Sequence, residues 1–269
     1  MKLDPAAVVS VESVSRLSTA QATQIRDRFD RLGFVVLRVP PSPQPRTEFL
    51  ALSRYFGSII HHEHSEADGI VPVAPLNHHP EYVNTTNKEL LPHTDGSFAL
   101  QPPKVVAMQC EVAAASGGLT TFVEAQWIYE TLKQRDPEGL ETLFRPDALT
   151  VKRSNRVATK PIFQRCSDRV EMVFRADSAA RVTIAPPCVT AFETIKTLAQ
   201  DPANQLCFQM QPGDIFVFDN TRILHGRTAF AEGDDRRLNR LWFDGKPEGE
   251  PLEFGFRDSF DRGFVVSGF

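Results

Sequence analysis

Short apolar runs separated by glycine and proline recur along the chain, and they predict more strands than helices. Val105–Val112, residues 214–218 and Arg237–Phe243 each have the length and the content of β-branched or aromatic residues that strands favour. Two longer segments, residues 18–32 and 189–199, have the mixed polarity of surface helices. Further strands are predicted at residues 34–37, 119–123, 149–152, 161–165, 170–175, 205–211 and 222–225, and further helices at 46–56 and 126–144, the latter divided by Pro137.

This order of elements predicts a mainly β fold with flanking helices, of the double-stranded β-helix (jelly-roll) type. The chain contains no repeat, low-complexity tract or linker, so residues 1–269 are expected to form one domain. Residues 60–91 are irregular and rich in proline, and long loops of this kind are usually functional or disordered. If the segment is functional, we expect it to act as a lid. The histidines of this segment are His61, His62, His64, His78 and His79.

Composition narrows the class of protein. The residues are 41% hydrophobic, with 20 Phe, and the net charge of −4 comes from interspersed acids and bases, which argues against nucleic-acid binding. No run approaches the length of a membrane span and the first residues do not resemble a signal peptide. The four cysteines are scattered without metal-binding spacing, so we expect reduced, mostly buried thiols and a cytoplasmic protein.

The candidate chemistry lies in two short segments. His93 and Asp95 are two residues apart, and in an extended segment both side chains fall on the same side. His225 is the only histidine after this pair, and Arg236 follows it by eleven residues. Two histidines and one carboxylate form the facial triad of non-haem Fe(II) oxygenases. By itself the first pair is a weak signal, because an aspartate that caps a turn gives the same tripeptide.

The surrounding motifs make the signal specific. Pro92-His93-Thr94-Asp95-Gly96-Ser97-Phe98, Pro102-Pro103, Ser116-Gly117-Gly118-Leu119-Thr120 and residues 219–227 followed by Arg236 occur in this order. Together they resemble the taurine dioxygenase/γ-butyrobetaine hydroxylase superfamily of Fe(II)- and 2-oxoglutarate-dependent oxygenases. The resemblance extends over about residues 33–243.

The resemblance implies roles for individual residues. His93, Asp95 and His225 would be the iron ligands and the catalytic centre. Arg236 would pair with the distal carboxylate of 2-oxoglutarate, and Thr120 would donate its hydroxyl to the same group, although its neighbour Thr121 leaves the register open. The reaction would release succinate and CO2 while oxidising a C–H bond. Because Asp95 is kept, the resemblance favours hydroxylation, desaturation or ring formation over halogenation.

The substrate is less readable. By resemblance, Arg240 would bind an anionic group of the substrate, or it would lie at the rim in solvent. His62 has the spacing of a substrate-contacting histidine, whereas loop histidines are usually solvated. Gly96 and Asn84 are grouped with these residues by position alone. These candidates predict a small anionic or zwitterionic substrate, such as an amino acid.

Other side chains near these motifs have plainer expectations. Arg227 follows His225 by two and would face the same way. It would position the iron-bound oxygen ligand, brace a carboxylate or form a structural salt bridge. Arg237 would be solvated, and Trp242 would belong to the core.

A second class of protein also fits the triad. A cupin-like metalloprotein, either an isomerase or a small-ligand binder, would use the same barrel and ligands without 2-oxoglutarate. It would leave Arg236 and Thr120 without a role. In either case the expected partners are a small-molecule substrate and, for an oxygenase, O2, with a homo-oligomer as the default assembly.

Overall fold

The computed structural model describes residues 3–75 and 86–258. The helices are α1 (Thr19–Leu32), α2 (Pro45–Leu50), α3 (Ser53–Phe56), α4 (Ala125–Arg135), α5 (Pro137–Thr142) and α6 (Val189–Gln200). The strands are β1 (Val8–Ser10), β2 (Phe34–Arg38), β3 (Val71–Val73), β4 (Leu90–His93), β5 (Val105–Val112), β6 (Thr120–Glu124), β7 (Leu149–Arg153), β8 (Arg156–Lys160), β9 (Phe163–Cys166), β10 (Arg169–Met172), β11 (Arg181–Ile184), β12 (Leu206–Phe208), β13 (Asp214–Asp219), β14 (Ile223–Arg227), β15 (Arg237–Phe243) and β16 (Phe256–Arg257). The predicted mainly β class is confirmed.

Two sheets position the site. The major sheet has the order β1-β2-β13-β5-β15-β3, and the minor sheet has the order β12-β6-β14-β4. Phenylalanines from both sheets meet between them: Phe34 lies 4.6 Å from Phe122, and Phe208 lies 5.4 Å from Phe216, between ring centroids. Buried aromatic rings of this size contribute much of the apolar area that stabilises a core.

The other face of the major sheet is covered by α1. The Ser18 side chain accepts a hydrogen bond from the Gln21 amide and the Gln21 side chain accepts one from the Ser18 amide, a capping box that starts the helix. Gly33 ends it in the left-handed region, with φ of 76°. Phe29 of this helix packs in a second apolar cluster with Val35, Val217 and other outward residues of the sheet. The major sheet is therefore buried on both faces.

Most predicted elements are confirmed, including β5 and β15 at the predicted bounds. The single helix predicted at residues 46–56 is wrong, because the structure has two short helices there, α2 and α3. A tight turn separates them, in which the Leu52 amide donates to the carbonyl of Phe49, only three residues earlier. Strands β8 and β11 were not predicted, since neither has a continuous apolar run.

Two smaller sheets flank this arrangement, with the orders β11-β7-β8 and β16-β10-β9. Within the predicted lid, residues 60–75 and 86–91 are described and include the short strand β3 and the start of β4. All four cysteines are free thiols, two buried and two half-buried. Of the helices in the described ranges, none has the length and apolar character needed to span a membrane.

Candidate metal and cofactor site

Strand pairing brings the three predicted ligands together. β14 pairs with β4 so that His225 lies opposite His93, and their rings are 4.4 Å apart between centroids. One ligand atom from each of His93, Asp95 and His225 lies within 4.8 Å of the other two. All three residues are buried. The pairing of β14 with β4 thus brings together residues that are far apart in the sequence.

Both histidines are suited to bind a cation. The Leu91 carbonyl lies 2.9 Å from His93 Nδ1 and accepts its proton, which leaves the lone pair of Nε2 free, 3.4 Å from Asp95 Oδ1. Burial, followed by the proximity of His93, lowers the pKa of His225 to about 3, so its imidazole is neutral at pH 7. Its Nδ1 is buried and has no hydrogen-bond partner among the described residues.

Asp95 is held as a carboxylate by donors from β15. Arg240 Nη1 donates to Asp95 Oδ2 at 3.0 Å, and Trp242 Nε1 donates to the same oxygen at 2.8 Å. Burial alone would raise the pKa of Asp95, but Arg240 and the two histidines hold it well below its usual value. The two donors are two residues apart on β15, and they therefore share one face of the strand.

Asn220 fixes the backbone at the same point. Its side-chain oxygen accepts the Asp95 amide at 2.7 Å, and its side-chain nitrogen donates to the carbonyls of Asp95 and Pro103 at 3.0 and 2.8 Å. Sequence reasoning missed the contacts of Asn220 and of Trp242, which was expected to be only a core residue. The two-residue spacing from Arg240 was the one signal that Trp242 faces Asp95.

Arg236 lies in a second buried, polar part of the site. Its Nε donates to the Gly118 carbonyl at 3.2 Å, and its guanidinium lies 5.7 Å from the centroid of the Phe230 ring. Burial lowers its pKa to about 10. Asp234 acts on it only at a distance, and within the described ranges no carboxylate forms an ion pair with it. A buried guanidinium in this position is a ready site for an anion.

Arg227 also lies against this ring, with its guanidinium 4.9 Å from the Phe230 centroid. It donates hydrogen bonds to the carbonyls of Thr86 and Lys88, backbone contacts that the sequence did not predict. Burial, and then Arg236, lowers its pKa to about 9. The two arginines therefore repel each other while both remain charged at pH 7.

The register of β6 separates the two threonines. Thr120 pairs with Arg227 and Phe122 pairs with His225, which places Thr120 on the same face of the minor sheet as His225. Thr121 pairs with Gly226 and faces the opposite side. Thr120 is therefore the threonine that faces the histidines.

The predicted substrate residues have different surroundings. Arg240 is buried, which contradicts the alternative that it lies in solvent at the rim. His62 is also buried, and its Nδ1 accepts the His64 amide at 3.1 Å, so its proton is on Nε2, which has no partner in the described part of the chain. Gly96 has φ of 68°, and a Cβ there would lie 2.6 Å from Pro103, which explains the glycine by backbone conformation and packing. Asn84 lies outside the described residues, as do His78 and His79.

Comparison with known proteins defines the class. The family described as taurine catabolism dioxygenase TauD, TfdA family matches residues 2–242. The chain belongs to this family.

Individual relatives are more distant. Trimethyllysine dioxygenase of Meyerozyma guilliermondii is 30% identical over 160 residues, which cover 54% of this chain and 40% of that protein. Uridine-5'-phosphate dioxygenase of an Amycolatopsis species is 28% identical over 174 residues, which cover 61% of this chain and 62% of that protein. The chain thus matches less than two thirds of the length of either relative.

Solved structures share the fold. Asparagine oxygenase in complex with Fe(II), 3-hydroxyasparagine and succinate superposes with a TM-score of 0.64 at 16% identity, covering 88% of this chain and 93% of that one. A mutant of the non-haem iron oxygenase OrfP, in complex with (3S)-hydroxy-L-Arg, superposes with a TM-score of 0.68 at 18% identity, covering 87% of this chain and 82% of that one.

Proposed function

We propose that this protein is an Fe(II)- and 2-oxoglutarate-dependent dioxygenase. It oxidises, in the simplest case by hydroxylation, an unactivated C–H bond of a small anionic or zwitterionic metabolite such as an amino acid. The observation that carries this proposal is the buried set of His93, Asp95 and His225, whose ligand atoms lie within 4.8 Å of one another. Membership of a dioxygenase family supports it.

The donor set fits Fe(II). Two neutral imidazoles and one carboxylate are the ligands of the facial triad, which leaves coordination positions open for a co-substrate and O2. Bound there, the ion would supply the redox chemistry that couples oxidative decarboxylation of 2-oxoglutarate to C–H oxidation. The protein's part is to hold the Asp95 carboxylate through Arg240 and Trp242, and to exclude water from a buried site.

The surroundings of Arg236 fit the distal carboxylate of 2-oxoglutarate. Its guanidinium and that of Arg227 are both buried against Phe230, and a carboxylate between them would relieve their repulsion. Thr120 lies opposite Arg227 on the face that carries His225, where its hydroxyl can donate to the same carboxylate. Arg236 and Thr120 are therefore assigned to 2-oxoglutarate, as the family resemblance implied.

The polar groups near Asp95 support a charged substrate. His62 offers a buried Nε2–H donor and Arg240 a guanidinium beside the candidate metal ligands. Relatives named for trimethyllysine and uridine 5'-phosphate, and neighbours bound to hydroxylated amino acids, act on or hold charged small molecules of this kind. Gly96 and Asn84 remain candidates by position alone.

We also assign the facing major and minor sheets to the two halves of a double-stranded β-helix, with residues 1–269 as one domain and the segment 60–91 as its lid. The aromatic cluster between the two sheets supports this assignment. The histidine pair lies at one edge of the minor sheet, on β4 and β14, beside the lid segment.

Anaerobic titration of the metal-free protein with Fe(II) and then 2-oxoglutarate tests the function. We expect the weak visible charge-transfer band of an iron–2-oxoglutarate chelate in the parent protein. Arg236→Ala should weaken 2-oxoglutarate binding by about tenfold or more, because a charge-assisted pair is lost. Arg237→Ala is the matched control, since its side chain is half exposed and points the other way.

His225→Ala should lose both the band and tight iron binding, whereas a protein that only binds a ligand would keep that ligand. If iron binds to the parent but no band develops with 2-oxoglutarate, the proposal is wrong. A cupin-like metalloprotein would then be the better description.

A further inference from the structure

The segment that connects β10 to β11 lies against the candidate metal ligands. Its backbone is bonded to Thr94, the residue between His93 and Asp95. The Thr94 amide and hydroxyl donate to the Phe174 carbonyl at 2.9 and 3.3 Å, and the Phe174 amide donates to Thr94 Oγ1 at 3.0 Å. These three hydrogen bonds fix the position of the residues that follow Phe174 relative to His93 and Asp95.

This segment contains a buried ion pair, Arg175 and Asp177, of which 3% and 8% are exposed. Arg175 Nη1 donates to Asp177 Oδ1 at 3.3 Å, and the Ala179 amide donates to the same oxygen at 2.9 Å. The other oxygen, Oδ2, is buried and accepts no hydrogen bond from the described residues. Buried polar atoms are rarely left without a partner, because losing water then costs stability. The orientation of Oδ2 therefore needs a cause.

A second pair with the same spacing shows the alternative geometry. Arg145 and Asp147 lie at the surface, with side chains 48% and 53% exposed. Arg145 Nε and Nη2 donate to the two oxygens of Asp147 at 3.0 and 3.1 Å, the bidentate geometry that arginine and carboxylate favour. Arg175 and Asp177 do not close in this way, although an unbonded oxygen costs more in the interior. One oxygen of Asp177 is fixed by two donors, and the other is left to act elsewhere.

That oxygen faces a candidate metal ligand. Asp177 Oδ2 lies 4.0 Å from His93 Nδ1, which is too long for a hydrogen bond. The proton of Nδ1 is given to the Leu91 carbonyl, which sets the tautomer. At 4.0 Å in a buried site, a carboxylate still acts strongly through its charge. A negative charge on the Nδ1 side polarises the imidazole and makes Nε2 a stronger donor to a cation.

The two histidines of the site are unequal in this respect. His225 Nδ1 is buried and has no hydrogen-bond partner among the described residues. The ring of His225 lies 4.7 Å from that of Phe218, between centroids. His93 thus has a carbonyl and a carboxylate beside its Nδ1, whereas His225 has neither bonded to it.

We propose that Asp177 is a positioning residue that strengthens His93 as a metal ligand. Arg175 and the Ala179 amide hold one oxygen of Asp177, so that the other keeps a negative charge on the Nδ1 side of His93. Arg175 also balances this charge in the interior. The inference rests on the proposed function in treating His93 as a metal ligand, and it makes His93 the stronger of the two histidine ligands.

Proton NMR of the Co(II)-substituted protein tests this role. The paramagnetic ion strongly shifts the exchangeable Nδ1–H signals of bound histidines, so the parent should show two such signals, one from His93 and one from His225. In Asp177→Asn we expect one signal to move, because the charge beside His93 is lost, and the other to stay. Anaerobic titration should show that Fe(II) binds at least about tenfold more weakly.

Asparagine keeps an oxygen for the Ala179 amide but leaves the charge of Arg175 without its partner. The deciding variant is therefore Arg175→Met/Asp177→Asn, which removes both charges and should still bind Fe(II) at least about tenfold more weakly. Arg145→Met/Asp147→Asn is the matched control, since it removes an exposed pair of the same spacing. It should change neither the signals nor the Fe(II) affinity.

Thermal unfolding shows whether the variants keep their fold, and Asp177→Asn decides if the double variant does not. Unmoved signals and unchanged Fe(II) affinity in Arg175→Met/Asp177→Asn would overturn the role of Asp177, and so would equal effects in the control. If the variant weakens Fe(II) binding but the parent develops no band with 2-oxoglutarate, the positioning role stands and the oxygenase proposal fails. A normal band in a parent whose Fe(II) affinity does not depend on Asp177 would have the opposite meaning.

Discussion

At the scale of single residues, the candidate site depends on donors that hold other side chains in place. Asp95 Oδ2 accepts from both Trp242 and Arg240, whereas Oδ1 accepts only a longer bond from Arg240, at 3.3 Å. Oδ1 also lies 3.4 Å from His93 Nε2, so it is the oxygen better placed for a cation. Partners of this kind orient metal ligands and are part of the metal site in function. Trp242 is therefore a positioning residue, although it does not belong to the motif that identified the site.

Replacing Trp242 with Phe keeps the ring in the core and removes the indole N–H. We expect Fe(II) to bind about 10- to 100-fold more weakly, as is typical when a metal ligand loses such a partner. Anaerobic Fe(II) titration measures the affinity, and the absorption spectrum of the Co(II)-substituted protein reports the geometry of the ligands. Trp127→Phe is the control, since Trp127 is the other tryptophan and lies half-buried on α4. Unchanged affinity and spectrum in Trp242→Phe would show that the indole has only a packing role.

At the scale of elements, turns and strand registers bring the functional side chains into contact. The register of β14 against β4 and β6 places His93 opposite His225 and Thr120 opposite Arg227. The turn before β6 shapes the space around Arg236. Gly118 has φ of 61°, and a Cβ there would lie 2.9 Å from Arg236 Cδ, so this glycine leaves space for the arginine.

Gly118→Ala should therefore displace Arg236. We expect 2-oxoglutarate affinity to fall by about tenfold or more, because the charge-assisted pair is misaligned, while Fe(II) affinity is kept. Gly233→Ala provides a matched control: it has φ of 83° and the same backbone strain, but no atom lies within 4 Å of its added Cβ. Equal 2-oxoglutarate affinity in the two variants would contradict a role for Gly118 in shaping the Arg236 site.

At the scale of the whole molecule, stability and function make opposite demands on the same interior. The major sheet is covered on both faces by apolar clusters, which stabilises the fold. The candidate site beside it contains buried polar atoms without hydrogen-bond partners in the described part of the chain, including His62 Nε2, Arg240 Nε and His225 Nδ1. Such atoms cost stability unless a ligand or ion satisfies them.

His62 should make the stability of the metal-free protein depend on pH. Burial, and then Arg240, lowers its pKa to about 3 in the folded state, against an ordinary value of 6.5. Between these values the unfolded chain binds a proton that the folded chain does not, so stability falls as pH decreases through this window. His62→Gln should remove about 2 kcal/mol of the change between about pH 6.5 and 4.5, measured by urea unfolding.

His61→Gln is the control for this measurement, because His61 is the exposed neighbour. An equal pH dependence in His62→Gln and in the parent would mean that His62 titrates normally in the folded protein.

Much of the fold and of the candidate site could be predicted from the sequence. The apolar runs predicted β5 and β15 at their bounds, and Gly33 marked the end of α1, because these signals are local. The motifs also named His93, Asp95, His225 and Arg236, since the chemistry of a metal or an anion restricts which residue types can serve.

The tertiary structure decided which of these side chains meet and what surrounds them. The sequence left the choice between Thr120 and Thr121 open, and only the pairing of β6 with β14 showed that Thr120 faces His225. The tertiary structure also placed Trp242 against Asp95 and Arg236 against the Gly118 carbonyl. A local pattern specifies the strand but not its partner or register, and a shift of one residue would turn every side chain to the opposite face.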